Sequence, residues 1–226
     1  MDITIVQGPG SAAARVMLQA GEGITTEGGA MIAMSSALHV ETTTRKRDSG
    51  SIMGALKRLV TGESIFLNHY TAHGRAGEVY LAPTLPGDML HHEIDGVPLL
   101  VQAGSYVASA PSVEMDIRWQ GFGKAMFSGE SAFLIELSGQ GPVVLSSFGA
   151  IYPIVVEGEH IVDTGHIVAF ESTLKYQVVK AGGSWITAIA GGEGLVCKFQ
   201  GNGTVWCQSH NAGSFGQALG PLLKPR

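Results

Sequence analysis

Eight histidines and two cysteines are the residues of this 226-residue chain best suited to chemistry, and their spacing decides what chemistry is open to them. His91-His92-Glu93 has the residue types of a metal site. In an extended strand, however, adjacent side chains point to opposite faces, so His91 and His92 cannot readily converge on one ion, whereas His91 and Glu93 share a face. His160 and His166 would share a face in an unbroken strand, but Asp163-Thr164-Gly165 reads as a turn between them. No three ligands converge by spacing, so structural roles are expected for these histidines and no metal or other cofactor is implied. His91, Glu93, Asp163 and His166 stay as candidates for lining a small-ligand cavity inside a β unit.

Cys197 and Cys207 flank Gly201-Asn202-Gly203. Read as a hairpin with that three-residue loop, the segment sets Cys197 opposite Cys207 and Phe199 opposite Val205; a two-residue loop would put the cysteines on opposite faces. Two thiols are no disulfide framework, and a reduced, packed pair is expected. Five of the 14 Lys and Arg residues, Arg45, Lys46, Arg47, Lys57 and Arg58, lie in one short stretch. They are candidates for docking an anionic partner or a membrane face, or are solvated charges on a packed helix. No Gly-x-Ser-x-Gly elbow, no phosphate loop ending in Gly-Lys-Ser/Thr and no Cys-x-x-Cys is present, so no catalytic residue can be named.

The elements that must position these residues are short and mostly extended. A glycine-rich phrase recurs at Gly21 to Ala33, Asp95 to Ala108 and Glu157 to Ala169. Its paired glycines, 21 and 29, 96 and 104, 158 and 165, mark turns of one β unit used repeatedly. Alternating or short apolar runs between them, such as Met31 to Met34, Leu99 to Gln102 and Ile167 to Phe170, read as strands. Ser138-Gly139-Gln140-Gly141 and Gln200-Gly201-Asn202-Gly203 read as the same hairpin written twice, and Phe66 to Leu81 as a longer-looped relative. One helix is expected at Ser51 to Val60, where Ile52, Leu56, Leu59 and Val60 share a face. The resulting expectation is an all-β chain, one compact domain of three repeats (about 1–62, 63–130 and 131–194). A hairpin at 195–210 closes it against the N-terminal repeat, and a tail fills 211–226.

Composition narrows the function classes. The chain is 45% apolar and 15% charged with 32 glycines, which suits a buried core with many tight turns. Its net charge of -5 argues against a nucleic-acid binder held by bulk electrostatics. Met1 to Gly8 lacks the basic and apolar regions of a secretion signal, and no apolar run approaches the roughly 18 residues of a membrane span; a cytoplasmic protein is expected.

Several phrases taken together, Glu27-Gly28-Gly29-Ala30-Met31, Gly62-Glu63-Ser64-Ile65-Phe66-Leu67, Pro86-Gly87-Asp88, Gln102-Ala103-Gly104-Ser105-Tyr106-Val107-Ala108-Ser109, Val162 to Ala169 and Gly192-Glu193-Gly194-Leu195, resemble the successive signatures of the altered inheritance of mitochondria family. The resemblance spans nearly the whole chain. It implies a fold similar to the tryptophan-RNA-binding attenuator protein, a compact variant of the double-stranded β-helix, and assembly into trimers. It brings no catalytic residues, and without a targeting sequence this chain resembles the bacterial members, proteins of unknown function. The expected role is a non-enzymatic oligomeric scaffold, with a small-ligand binder or enzyme, or a binder of an anionic partner through 45–58, as alternatives.

Overall fold

The structure, a computed structural model, describes residues 1–44, 66–118, 134–180 and 195–223. Strand follows strand: β1 (Asp2–Val6), β2 (Ala13–Leu18), β3 (Gly23–Glu27), β4 (Met31–Met34), β5 (Leu38–Thr44), β6 (Phe66–Ala72), β7 (Gly77–Leu81), β8 (Met89–Asp95), β9 (Leu99–Gln102) and β10 (Tyr106–Ser109). After these come β11 (Val113–Arg118), β12 (Leu134–Ser146), β13 (Ile151–Asp163), β14 (Ile167–Glu171), β15 (Lys175–Lys180) and β16 (Leu195–Gln208). One α-helix, α1 (Ala212–Leu219), follows the last strand. The all-β expectation is met, with one short α-helix among the described residues. The helix expected at Ser51 to Val60 lies outside the described residues. α1 falls instead in the stretch read as a tail; Asn211 caps it by accepting from the Gly213 and Ser214 amides.

The four-stranded sheet runs β1-β2-β7-β4. The larger sheet runs β13-β16-β14-β9-β12-β10-β3-β6-β5, with β8 and β11 also on β12 and β15 also on β16. All pairings between these strands are antiparallel. Side chains from the strands fill three apolar clusters. Val16, Leu18, Ile24, Tyr70, Val79 and Leu81 belong to the first; Val101, Tyr106, Ile135, Leu137, Leu145 and Val168 to the second; Val156, Phe170, Cys197, Phe199, Val205 and Cys207 to the third.

The first glycine of the recurring phrase behaves alike in all copies. Gly21, Gly96 and Gly158 have φ of +85, +79 and +93°, a backbone state that side chains with a Cβ resist. The second glycine does not. Gly29 has φ +91°, whereas Gly104 and Gly165 sit in 3-10 turns, Ala103–Ser105 and Thr164–His166.

The hairpin readings are corrected. Leu134–Ser146 and Leu195–Gln208 are single long strands, not hairpins. Positive-φ glycines, Gly139 at +97°, Gly141 at +133° and Gly201 at +121°, interrupt each strand without reversing it, and neighbours can change there: β16 takes β15 along one arm and β14 along the other, while β13 runs beside both. In β12, the arm from Leu134 to Gly139 pairs with β11 and β9, and the arm from Gln140 to Ser146 with β8 and β10. β6 and β7 likewise have separate partners, β3 and β5 for one, β2 and β4 for the other. Nor does 195–208 close onto the N-terminal strands; β16 pairs with β13, β14 and β15.

Three register shifts have the same form. β4 shifts between Met31 and Ala33 against β7, β10 between Tyr106 and Ala108 against β12, and β14 between Ile167 and Ala169 against β16. β10 also pairs on its other side with β3, and β14 with β9. β4 pairs only with β7 among the described residues and ends its sheet; β13 ends the larger one.

Candidate functional site

Strand alternation places His91 and Glu93 of β8 on one face, and the imidazole Nε2 lies 3.0 Å from the Glu93 carboxylate. The pair is solvent-exposed, so its contribution to stability is small. His92 points the other way and meets the Trp206 indole edge to face at 5.0 Å. Burial lowers its pKa, against the opposing field of Glu171, so it packs as a neutral ring.

Asp163 and His166 hold the 3-10 turn between β13 and β14. The Asp163 carboxylate accepts from the Gly165 amide at 2.7 Å, and His166 Nδ1 donates to the Gln208 carbonyl at 2.8 Å. The buried Gln208 side chain ties the turn down, donating to the Gly165 carbonyl and accepting from the Phe148 amide. A Cβ at residue 165 would lie 1.9 Å from the Asn211 amide nitrogen, so a larger residue there would displace the side chain that caps α1. His91 is thus brought to Glu93, while Asp163 is engaged with the backbone of its own turn and His166 with the backbone of β16. Among the described residues no three His, Cys, Asp or Glu side chains are grouped to hold a metal ion. Arg45, Lys46, Arg47, Lys57 and Arg58 lie outside the described residues.

The cysteines do not oppose each other, because β16 does not fold back. Cys197 lies opposite Val162 and Val178, and Cys207 opposite Tyr152 and Ile167. Both are free and buried in the third cluster. Burial pushes the Cys197 thiol up to about 12 and the Cys207 thiol up to about 11, so neither forms thiolate at neutral pH. A thiol reagent at pH 8 is therefore expected to leave the native protein unmodified over minutes and to take two equivalents in urea. Rapid stoichiometric labelling of the native protein would contradict this burial.

The feature that stands apart is a surface. β4 reads Met31-Ile32-Ala33-Met34, apolar on both faces, and all four residues are exposed. Met31 is 42%, Ile32 58% and Met34 39% exposed. The corresponding residues next to the other two register shifts, Tyr106-Val107-Ala108-Ser109 and Ile167-Val168-Ala169-Phe170, are all buried. A strand apolar on both faces suits a sheet interior covered on both sides. That pattern was the sequence signal for this site, and it concerns packing and not chemistry. β13 carries exposed apolar side chains of its own, with Ile161 53% and Val155 65% exposed.

Comparison with known proteins agrees on one group. The sequence model of the family described as mitochondrial biogenesis AIM24 matches residues 3–210. An uncharacterized protein from Streptococcus pyogenes serotype M6 is 29% identical over 207 residues, covering 89% of this chain and 83% of that protein. The crystal structure of another Streptococcus pyogenes protein superposes with a TM-score of 0.80 at 26% identity, covering 98% of this chain and 99% of the other.

Proposed function

Because this chain belongs to the mitochondrial biogenesis AIM24 family, we propose that it is a non-enzymatic scaffold that assembles with copies of itself, as a homotrimer of chains each built from three β repeats. One observation carries this reading: β4 exposes four apolar residues where its two counterparts bury theirs. An exposed apolar edge strand invites uncontrolled pairing unless a defined neighbour covers it.

The repeat reading is supported by the pairings. The units that the pairings mark out, β2 to β7, β8 to β12 and β13 to β16, begin later than the expected bounds of about 1, 63 and 131, and each contains one strand with the same register shift and the left-handed first glycine of the recurring phrase. The long β13, with Gly158 inside it, does in one strand what β8 and β9 do across Gly96. These relations fit a short double-stranded β-helix unit used three times, and three such chains would form a ring with pseudo-ninefold order. Two buried, reduced cysteines suit a cytoplasmic setting. No described helix is long and apolar enough to cross a membrane.

Light scattering tests the assembly directly. The wild-type protein is expected at three times the chain mass of 23.6 kDa, and the double variant Ile32→Lys, Met34→Lys at one. A wild-type protein that stays at one chain mass at micromolar concentration would overturn the proposal.

A further inference from the structure

We infer that the neighbour of β4 is the C-terminal arm of β13 from a second copy, paired antiparallel with Ala33 opposite Val162, Met34 opposite Ile161 and Ser35 opposite His160. This rests on the self-assembly reading above and adds which two edges meet and in what register.

The register comes from a series the chain already contains. β10 pairs with β3 so that Ala108 lies opposite Thr26 and Ser109 opposite Thr25. β14 pairs with β9 so that Ala169 lies opposite Val101, Phe170 opposite Leu100 and Glu171 opposite Leu99. Ala108 and Ala169 follow the register shifts of their strands, as Ala33 does in β4. Thr26 lies seven residues before Ala33, and Val101 seven before Ala108. Each shifted strand therefore docks on the strand that precedes the shift of the unit before it. Two members of this series are left open. Among the described residues β4 has no unit before it, and the arm of β13 seven residues before Ala169, at Val162, has none after it. Both belong to strands that end their sheets.

The side chains on the two edges are complementary. Directly opposed residues of an antiparallel pair lie on the same face and touch, which sets Met34 on Ile161. Both are exposed in the single chain, and their counterparts in the β14 and β9 pair, Phe170 and Leu100, are buried. Because β4 and β13 are different strands, the contact joins copies head to tail. Such contacts close into a ring or run on as a filament.

Disulfide trapping between two single variants, Met34→Cys and Ile161→Cys, tests the register. Opposed residues of an antiparallel pair bring Cα atoms within about 5.5 Å, inside disulfide range. Mixed, dissociated and reassembled under mild oxidation, the two variants are expected to give a covalent dimer of one of each. A mixture of Met34→Cys with Val155→Cys should give none. A multi-chain mass by light scattering without the Met34 and Ile161 link overturns this inference and leaves the assembly reading standing. A single-chain mass for the wild type removes both. Should either variant fail to assemble, amide exchange on the assembled wild type decides: segments 31–35 and 160–162 should be protected, and unprotected segments overturn the pairing.

Discussion

Truncating Phe199 to alanine is expected to lower the unfolding free energy by about 3–5 kcal/mol, the range for removing a fully buried aromatic ring. Phe199 has no exposed surface and sits at the centre of the third cluster. Its ring meets Phe170 edge to face at 5.0 Å, and Tyr176 at 6.3 Å. Phe199 also occupies a central strand, opposite His160 on one side and Tyr176 on the other. The surroundings therefore cannot collapse into the space without moving two strand pairings, and a cavity term adds to the lost transfer energy. Urea unfolding at fixed protein concentration reads the effect as a shift in midpoint, with concentration held constant because assembly would couple to stability. Val97→Ala, at an exposed turn position, should stay within about 0.5 kcal/mol. A Phe199→Ala protein as stable as the wild type would contradict the placement of β16 between β13 and β15.

Most of the strands could be read in the sequence, and the exceptions have physical causes. Met31–Met34 and Leu99–Gln102 coincide with the expected strands because a glycine turn, at Gly28-Gly29 and at Gly96, sets where each begins. The left-handed state of Gly21, Gly96 and Gly158 was likewise legible from the recurring phrase. What failed was the step from glycine to reversal. Gly-x-Gly can turn a chain back or bend it, and the choice depends on whether the two arms bury more against each other or against other strands. In β12 and β16 the other strands win, and with the hairpin went the facing cysteines. α1 escaped notice because it buries no residue and contains Gly213 and Gly216, both poor helix formers; only the Asn211 cap announced it. At the candidate site, the shared face of His91 and Glu93 and the turn at Asp163 were legible from local rules. The openness of β4 was not, since Met31 to Met34 has the same apolar character as Ile167 to Phe170 and differs in having no neighbour on its outer edge among the described residues.

Glu27 gives the clearest dependence of stability on pH. It ends β3 just before the turn to β4, and burial pushes its carboxyl up to about 7 from 4.5. Above the unfolded-state value the unfolded chain loses this proton, while the folded chain keeps it until near neutrality. The folded state therefore binds more protons between these limits, and stability falls as pH rises from about 4.5 to about 7, then levels off. Replacing the side chain with the uncharged amide in Glu27→Gln removes the cost of ionising a buried group. The variant is expected to gain nothing attributable to this proton below about pH 4.5, and about 2–3 kcal/mol relative to the wild type above pH 7. Denaturation midpoints at pH 5 and pH 8 measure the difference, and the gain should be several-fold larger at pH 8. A gain that is equal at both pH values, or one that shrinks as pH rises, would mean that Glu27 is solvated as an ordinary carboxylate. The position has its own logic: Asp163, also the last residue before its turn, spends its carboxylate on the Gly165 amide, whereas the Glu27 carboxyl is pushed up by burial. The edge that Glu27 precedes is the one left open for a second copy, so this carboxyl lies next in the chain to the surface whose assembly is proposed, and the Glu27→Gln comparison should be run at concentrations above and below assembly to separate the two effects.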